Sequence, residues 1–233
     1  MRPFPQVLVF DFDGVILESA DIKTRAFREL FAPYPDQLEA IVAYHEANAG
    51  ISRYEKFRHI YRHFLDKPLG VEEERALGER FSDLVVDEVM RCPFVPGALE
   101  LLKAYFRERP LFLVSGTPEG ELHRLVEARN LTAMFREVYG SPKGKPAIIK
   151  EVLAVTAKPS AVVLFVGDGR SDYEAAKAAG VAFVGRGRPG RRHPFEGLGV
   201  PVVEDLFGLD RHLGGRLGNQ PAGSRGASGG GAA

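Results

Sequence analysis

Asp11 and Asp13, separated by Phe12, follow directly on the apolar run Val7-Leu8-Val9-Phe10. A carboxylate can attack phosphorus and form an acyl phosphate. A second carboxylate two residues on, pointing to the same side of an extended segment, can serve as general acid and then as base. Such a pair works when one acid is ionised and the other holds a proton, and a cation beside only one of them separates their pKa values in that sense. The plainer reading of Asp11-Phe12-Asp13-Gly14 is a turn, since Asp and Gly are frequent turn residues. The rest of the chain has to decide.

Further groups of the same chemistry recur after other apolar runs. Asp168 and Asp172 lie in Gly167-Asp168-Gly169-Arg170-Ser171-Asp172, and their hard oxygens suit Mg2+, which takes a few carboxylates and otherwise keeps waters or phosphate oxygens. Without a metal, Asp168 reads as part of a turn and Asp172 as an acid in a first helical turn, favoured there by the dipole. Ser115, with the amides of Gly116 and Thr117, offers donors to an anion near a helix start; alone it reads as a helix cap. Lys143 and Lys145 could neutralise a phosphorane and restrain the Asp11 carboxylate, although a single lysine is most often a solvated charge.

The elements that would position these groups follow from periodicity. Val7–Phe10 has no polar alternation and reads as a strand buried on both faces. Leu111–Val114, Glu137–Tyr139, Val162–Val166 and Val181–Val184 read the same way. Helical spacing lies between them: Leu99, Leu102 and Phe106; Leu122, Leu125 and Val126; Ile148, Ile149, Val152 and Leu153. Ser171 is a candidate cap for a helix ending at Gly180. Strands alternating with helices imply an α/β fold, a doubly wound parallel sheet with helices on both faces. Acids at strand ends then converge on the rim where such sheets bind ligands.

The stretch 18–92 breaks this rhythm. It has helical spacing over Ala26–Phe31, Leu38–Ala47, Tyr54–Leu65 and Glu72–Met90 and is too long for a strand-to-helix loop. It reads as a helical insertion, so the α/β core comprises residues 1–17 and 93–213. Residues 214–233, rich in Gly, Ala, Ser and Arg, are expected to be disordered.

The chain of 233 residues is 45% hydrophobic and 27% charged, ordinary for a globular protein with a sizeable core. Lys plus Arg and Asp plus Glu balance at 31 each, which argues against a global attraction to nucleic acid or anionic membrane. Cys92 is the only cysteine, which excludes an internal disulfide and suggests a reducing compartment. No stretch approaches a membrane-spanning length, and the first strand begins too early for a signal peptide. The expectation is a cytoplasmic protein, monomer or homodimer.

Taken together the motifs resemble the haloacid dehalogenase superfamily of aspartate-nucleophile phosphotransferases over roughly residues 5 to 210. Asp11-Phe12-Asp13-Gly14-Val15-Ile16 is similar to its first motif, Leu113-Val114-Ser115-Gly116 to its second, and Gly167–Asp172 to its fourth. Either Lys145 or Lys143 stands in for the third-motif lysine. The resemblance implies a Rossmann-like core, Asp11 as nucleophile, Asp13 as acid/base, and Mg2+ held by Asp11, Asp168, Asp172 and the backbone carbonyl of Asp13. The insertion after motif one resembles the helical cap of the phosphoglycolate phosphatase and β-phosphoglucomutase branch. There, Gly50-Ile51-Ser52-Arg53 is similar to the specificity loop, which implies that Arg53, assisted by Lys56, meets a distal anion on the substrate.

Dehalogenases of the superfamily lack the second aspartate of motif one, so Asp13 points to phosphate esters. The mutase pattern has a histidine ten residues after that aspartate, where this chain has Lys23. The implied activity is hydrolysis of a small phosphorylated metabolite; phosphotransfer of the mutase kind and a catalytically silent phospholigand-binding protein are the alternatives. His45, His59, His63 and His123 show no metal spacing and read as cap or helix-surface residues. The basic run Arg186–His193 reads as a solvated loop after a strand.

Overall fold

The computed structural model describes residues 4–217. A parallel sheet carries six strands, β1 (Val7–Phe10), β2 (Leu111–Pro118), β3 (Glu137–Ser141), β4 (Val163–Gly167), β5 (Ala182–Arg186) and β6 (Val202–Val203), in the order β3-β2-β1-β4-β5-β6. All four residues of β1 are buried, as expected of a central strand covered on both faces. Side chains alternate along it: Leu8 and Phe10 enter one apolar cluster, Val7 and Val9 the other. Helices α7 (Lys145–Thr156) and α8 (Arg170–Ala179) cover the second face through Ile148, Ile149, Val152, Ala175 and Ala176. Helices α5 (Ala98–Tyr105), α6 (Glu119–Ala128) and α9 (Leu206–His212) supply Leu101, Leu122 and Leu209 to the first.

Strand order reverses direction at β1, between β1 and β4. Asp11 follows β1 and Asp168 follows β4, so both stand at the topological switch point, where the diverging connections leave a crevice.

The insertion holds α1 (Ala20–Leu30), α2 (Leu38–Ala47), α3 (Arg53–His63) and α4 (Val71–Arg91). Its entry and exit run side by side, with Glu18 N donating to Pro93 O and Val95 N to Ile16 O, both at 3.0 Å. Phe27, Phe31, Phe57 and Phe81 pack at its centre; Phe27 meets Phe81 edge-on at 5.1 Å. Burial of each such ring contributes about 1.5–3 kcal/mol to the packing of these helices. The same cluster runs on into the first sheet face through Phe12, Ile16 and Leu17.

Several local readings change. Strand β2 continues through Ser115 to Pro118, so Ser115 sits in a strand and caps no helix. Gly169, not Ser171, precedes α8 as its N-cap, and the Asp172 carboxylate accepts from Gly169 N at 2.9 Å. Helix α1 starts six residues before the expected Ala26, and β6 and α9 have no counterpart in the sequence reading. The tail expected to be disordered from residue 214 lies outside the described residues from 218 onward. Before that point the amides of Arg216 and Leu217 donate to Asp210 at 3.1 and 2.9 Å. Among the described residues no helix is long and apolar enough to cross a membrane.

Candidate active site

The chain leaving β1 turns at once: Ile16 N returns to Phe12 O and Gly14 N donates to Leu17 O. Gly14 has φ +73°, and a Cβ there would overlap the Asp168 carboxylate, so the turn can approach β4 only as glycine. This places Asp11 on the floor of the crevice at 2% exposure, its Oδ1 accepting from Phe12 N at 2.8 Å.

Lys145, at the first position of α7, lies between two acids. Its Nζ is 3.1 Å from Asp11 Oδ1 and 2.6 Å from Asp172 Oδ1. Burial alone would lower its pKa, but Asp11 and Asp172 hold it above the ordinary lysine value, so it is charged. Lys143 instead pairs with Glu151 on the exposed side of α7. The geometry thus separates the two lysines that spacing left open.

Asp11, Asp168 and Asp172 each offer a carboxylate oxygen within 4.8 Å of the others. Burial and then Asp172 push the Asp168 carboxyl up to about 7; burial, with Asp172, Asp168 and Asp13, pushes Asp11 well up despite Lys145. Clustered hard-oxygen donors of this kind fit a divalent cation of the Mg2+ type. Asp172 is the most engaged of the three, since Lys145 and Gly169 N already occupy its two oxygens. The Asp13 side chain lies outside this cluster.

Asp13 faces the other wall of the crevice. Its Oδ1 accepts from Ser19 Oγ at 2.7 Å, and its Oδ2 takes Lys23 Nζ at 2.5 Å. Ser115 Oγ and Thr117 Oγ1 reach the same Oδ2 at 3.3 Å, and Lys23 also donates to Thr117 Oγ1 at 2.8 Å. Burial would raise the Asp13 pKa, but the Lys23 charge and the hydrogen bonds from Lys23 and Ser19 outweigh it, and the carboxyl ends below its usual value. Lys23 is a site residue that sequence reasoning missed, and Thr117, expected to offer its amide to an anion, gives that amide to Ser115 Oγ and enters the site through its hydroxyl. Lys23 had a signal, its ten-residue offset from Asp13, which was read only as a departure from a pattern.

The insertion closes over this floor and leaves a cavity of 740 Å³ lined by Asp11, Asp13, Lys23, Lys56, Gly116 and Asp168, among others. Backbone meets backbone at the seam. Ser171 Oγ donates to Ala49 O at 2.7 Å, which is where the expected helix-capping hydroxyl goes. Gly50 has φ +84°, and a Cβ on it would lie 2.5 Å from Ser171 Oγ and 2.8 Å from Lys145 Nζ.

Arg53 is engaged on both sides of the seam. It lines the cavity, yet its guanidinium is 4% exposed and turned to Glu121 on α6, with Nη2 2.5 Å from Oε1 and Nη1 3.1 Å from Oε2. Ser82 Oγ accepts from Arg53 at 2.7 Å and donates to Glu121 at 2.6 Å, and the Phe81 ring lies under the guanidinium at 4.5 Å. The residue expected to meet a distal anion also forms a buried bridge between the helical insertion and the core.

Two other readings also shift. Lys56 is 3% exposed, and His45, expected on a helix surface, is buried beside it at 6%. His59 does stack on Tyr44, at 4.2 Å, and neighbours His63 on the outer face. The basic run is more than a solvated loop, because Arg186, Arg188 and Arg191 line the cavity. Arg186 bridges Glu18 and the Gly14 carbonyl; Arg188 and Arg191 share the single carboxylate of Asp21.

Comparison with known proteins agrees with this geometry. Residues 5–180 match the family model of haloacid dehalogenase-like hydrolases. A phosphoglycolate phosphatase of Pseudomonas syringae is 30% identical over 193 residues, covering 77% of this chain and 68% of the relative. One from Rhodospirillum rubrum is 28% identical over 234 residues and covers 94% of this chain and 97% of its own length. Among solved structures, a predicted phosphoglycolate phosphatase from Haemophilus somnus superposes with a TM-score of 0.69 at 18% identity, over 91% of this chain and 98% of that one, and so shares the fold. With its acids gathered at the switch point of a Rossmann-like sheet and a helical cap above them, the chain belongs to the haloacid dehalogenase-like hydrolase family and is a phosphoric monoester hydrolase.

Proposed function

We propose that the protein is a Mg2+-dependent phosphatase that hydrolyses a small phosphorylated metabolite, of the 2-phosphoglycolate kind, through an aspartyl phosphate on Asp11. The observation that carries this reading is the placement of Asp11: buried, restrained by Lys145 at 3.1 Å, and grouped with Asp168 on the floor of the cavity beneath the helical insertion. Asp11 and Asp168 would hold the metal, with the Asp13 carbonyl, while Asp172 acts on that group through Lys145. When bound, the metal supplies charge for the phosphate oxygens and keeps the Asp11 carboxylate ionised.

In the first step Asp11 attacks phosphorus, the bond from phosphorus to the ester oxygen breaks, and that oxygen takes a proton from the Asp13 side of the crevice. Asp13 is ionised in this state, with a proton one contact away on Lys23 Nζ. In the second step Asp13 removes a proton from the water that attacks phosphorus, which returns Asp11 and releases inorganic phosphate. Lys145 balances charge on the phosphoryl oxygens throughout, Ser115 and Thr117 orient Asp13, and the Gly116 surface faces the bound group. The closed cap keeps bulk water away from the acyl phosphate.

Lys23 favours hydrolysis over phosphotransfer of the mutase kind. It is bonded to the acid/base carboxylate at the position where the mutase pattern has histidine. The test is phosphate release with Mg2+ over a panel of p-nitrophenyl phosphate, 2-phosphoglycolate, sugar phosphates, polyol phosphates and nucleotides. Turnover that EDTA abolishes and Mg2+ restores is expected. No turnover on any ester would leave a silent phospholigand-binding protein.

A further inference from the structure

The arginines of the run after β5 are not engaged alike. Arg188 and Arg191 meet Asp21 where all three side chains are partly exposed, but Arg186, the last residue of β5, is 3% exposed and bonded through all three of its nitrogens. Its Nε donates to Glu204 O at 3.0 Å, beyond β6. Nη1 and Nη2 take the two oxygens of Glu18 at 3.1 and 2.6 Å, a bidentate pair. Nη1 also donates to Gly14 O at 3.2 Å.

Gly14 and Glu18 are the two ends of one turn. At its near end Gly14 packs on Asp168, so closely that a Cβ would lie 2.0 Å from Asp168 Oδ2. Its middle is closed by Gly14 N donating to Leu17 O at 2.8 Å. At its far end Glu18 opens the passage to the cap, where its N donates to Pro93 O at 3.0 Å. One planar fork therefore fixes both the turn that meets Asp168 and the point where the cap joins the core.

We propose that Arg186 is a positioning residue of the metal floor: by holding Gly14 and Glu18 in one fork it sets the turn 14–18 against Asp168, and so sets how tightly the floor holds its divalent cation. The inference rests on the metal reading of Asp11 and Asp168 above and adds a residue that acts on that site only through the turn.

The sign of the effect separates positioning from charge. Arg186 lines the same cavity as Asp11 and Asp168, and a guanidinium there repels a dication. By charge alone, its removal would tighten Mg2+ binding. Loss of an outer partner that orients the ligands instead weakens metal binding, typically by about 10- to 100-fold. Lysine keeps the charge but has no planar fork to hold two partners at once.

The test is Mg2+ affinity on the full-length protein, read without turnover as the rise in Tm with Mg2+ concentration. The Mg2+ concentration for half-maximal hydrolysis of p-nitrophenyl phosphate is read beside it. Arg186→Met is expected to weaken Mg2+ by roughly 10- to 100-fold on both readouts, and saturating Mg2+ should recover most of kcat. Arg186→Lys should shift in the same direction by a smaller factor. Glu18→Gln should weaken Mg2+ too, and adding it to Arg186→Met should cost nothing further, since both remove the same tether. Arg109→Met controls for lost stability: Arg109 is buried at the opposite rim of the sheet, where it donates to Pro5 O, and its loss should lower Tm without moving Mg2+ affinity. Unchanged affinity in Arg186→Lys, tighter binding in Arg186→Met, or an equal loss in Arg109→Met overturns the assignment and leaves the phosphatase reading standing. If Arg186→Met does not fold, Arg186→Lys decides. If the wild-type Tm does not respond to Mg2+, the metal reading fails and the assignment falls with it.

Discussion

The buried bridge between Arg53 and Glu121 predicts how the cap is held shut. Removing one partner of a buried ion pair strands the other and costs about 3–5 kcal/mol. That cost falls on the closed arrangement, because an opened cap returns the stranded charge to water. A bias of about 3 kcal/mol changes a two-state ratio by roughly 10²-fold, so Arg53→Met or Glu121→Leu should each lower kcat/KM by up to that factor. The loss should be the same for p-nitrophenyl phosphate and for the best substrate, since closure serves both. The double variant Arg53→Met/Glu121→Leu strands nothing and refills the volume with apolar atoms, which buried pairs tolerate well. It should recover most of the activity, with a coupling energy of about 2–3 kcal/mol in the double-mutant cycle. Additive losses would refute the bridge. A loss in Arg53→Met confined to the doubly anionic substrate would return Arg53 to substrate binding.

The remaining predictions concern the floor of the site. Asp11→Asn should abolish turnover, and Asp13→Asn should slow it by ~10²–10⁴-fold, the usual range for lost acid–base help, as measured by steady-state phosphate release. Lys145→Ala should collapse activity, whereas Lys143→Ala, which removes only a surface pair with Glu151, should leave it within error. Asp168 has its folded pKa raised from 3.8 to about 7, so the folded state binds the extra proton between those values and loses stability as pH rises through that window. Melting curves in EDTA should show Tm falling more steeply from pH 5 to 7 in wild type than in Asp168→Asn, and a larger Mg2+-induced rise in Tm at pH 8 than at pH 6; parallel curves for the two proteins would refute it. Gly50→Ala should impair closure, since its Cβ would lie 2.5 Å from Ser171 Oγ at a φ of +84°; unchanged KM and kcat would show that the seam yields.

Strand ends and their acids were legible because buried parallel strands leave uninterrupted apolar runs, and Val7–Phe10 coincides with β1 to the residue. The four cap helices were legible from period alone, Leu38–Ala47 without any shift. What the sequence hid were partnerships across long separations. Arg53 has the right type and spacing for an anion, and only the fold shows Glu121, far along the chain, already filling its fork. His45 and Lys56 lie on different helices, so neither pattern reveals that one buries the other. Lys23 stood out only as an unexpected residue, because its partners Asp13 and Thr117 come from the turn after β1 and from β2. Ser171 reads from sequence as a helix cap, and Ser115 as an anion donor or, alone, a cap; their tertiary contacts, Ser171 with Ala49 and Ser115 with Asp13, leave no local pattern. Strand β6, two residues long at the sheet edge, carries too little pattern to detect.

The central claim is that Asp11 becomes phosphorylated. Protein mixed with substrate and Mg2+, acid-quenched within the first turnover and reduced with borohydride, should carry homoserine at position 11, identified by peptide mass spectrometry. The modification should depend on substrate and be absent from Asp11→Asn. Steady turnover with no acyl phosphate at residue 11, or turnover that survives Asp11→Asn, would contradict the account.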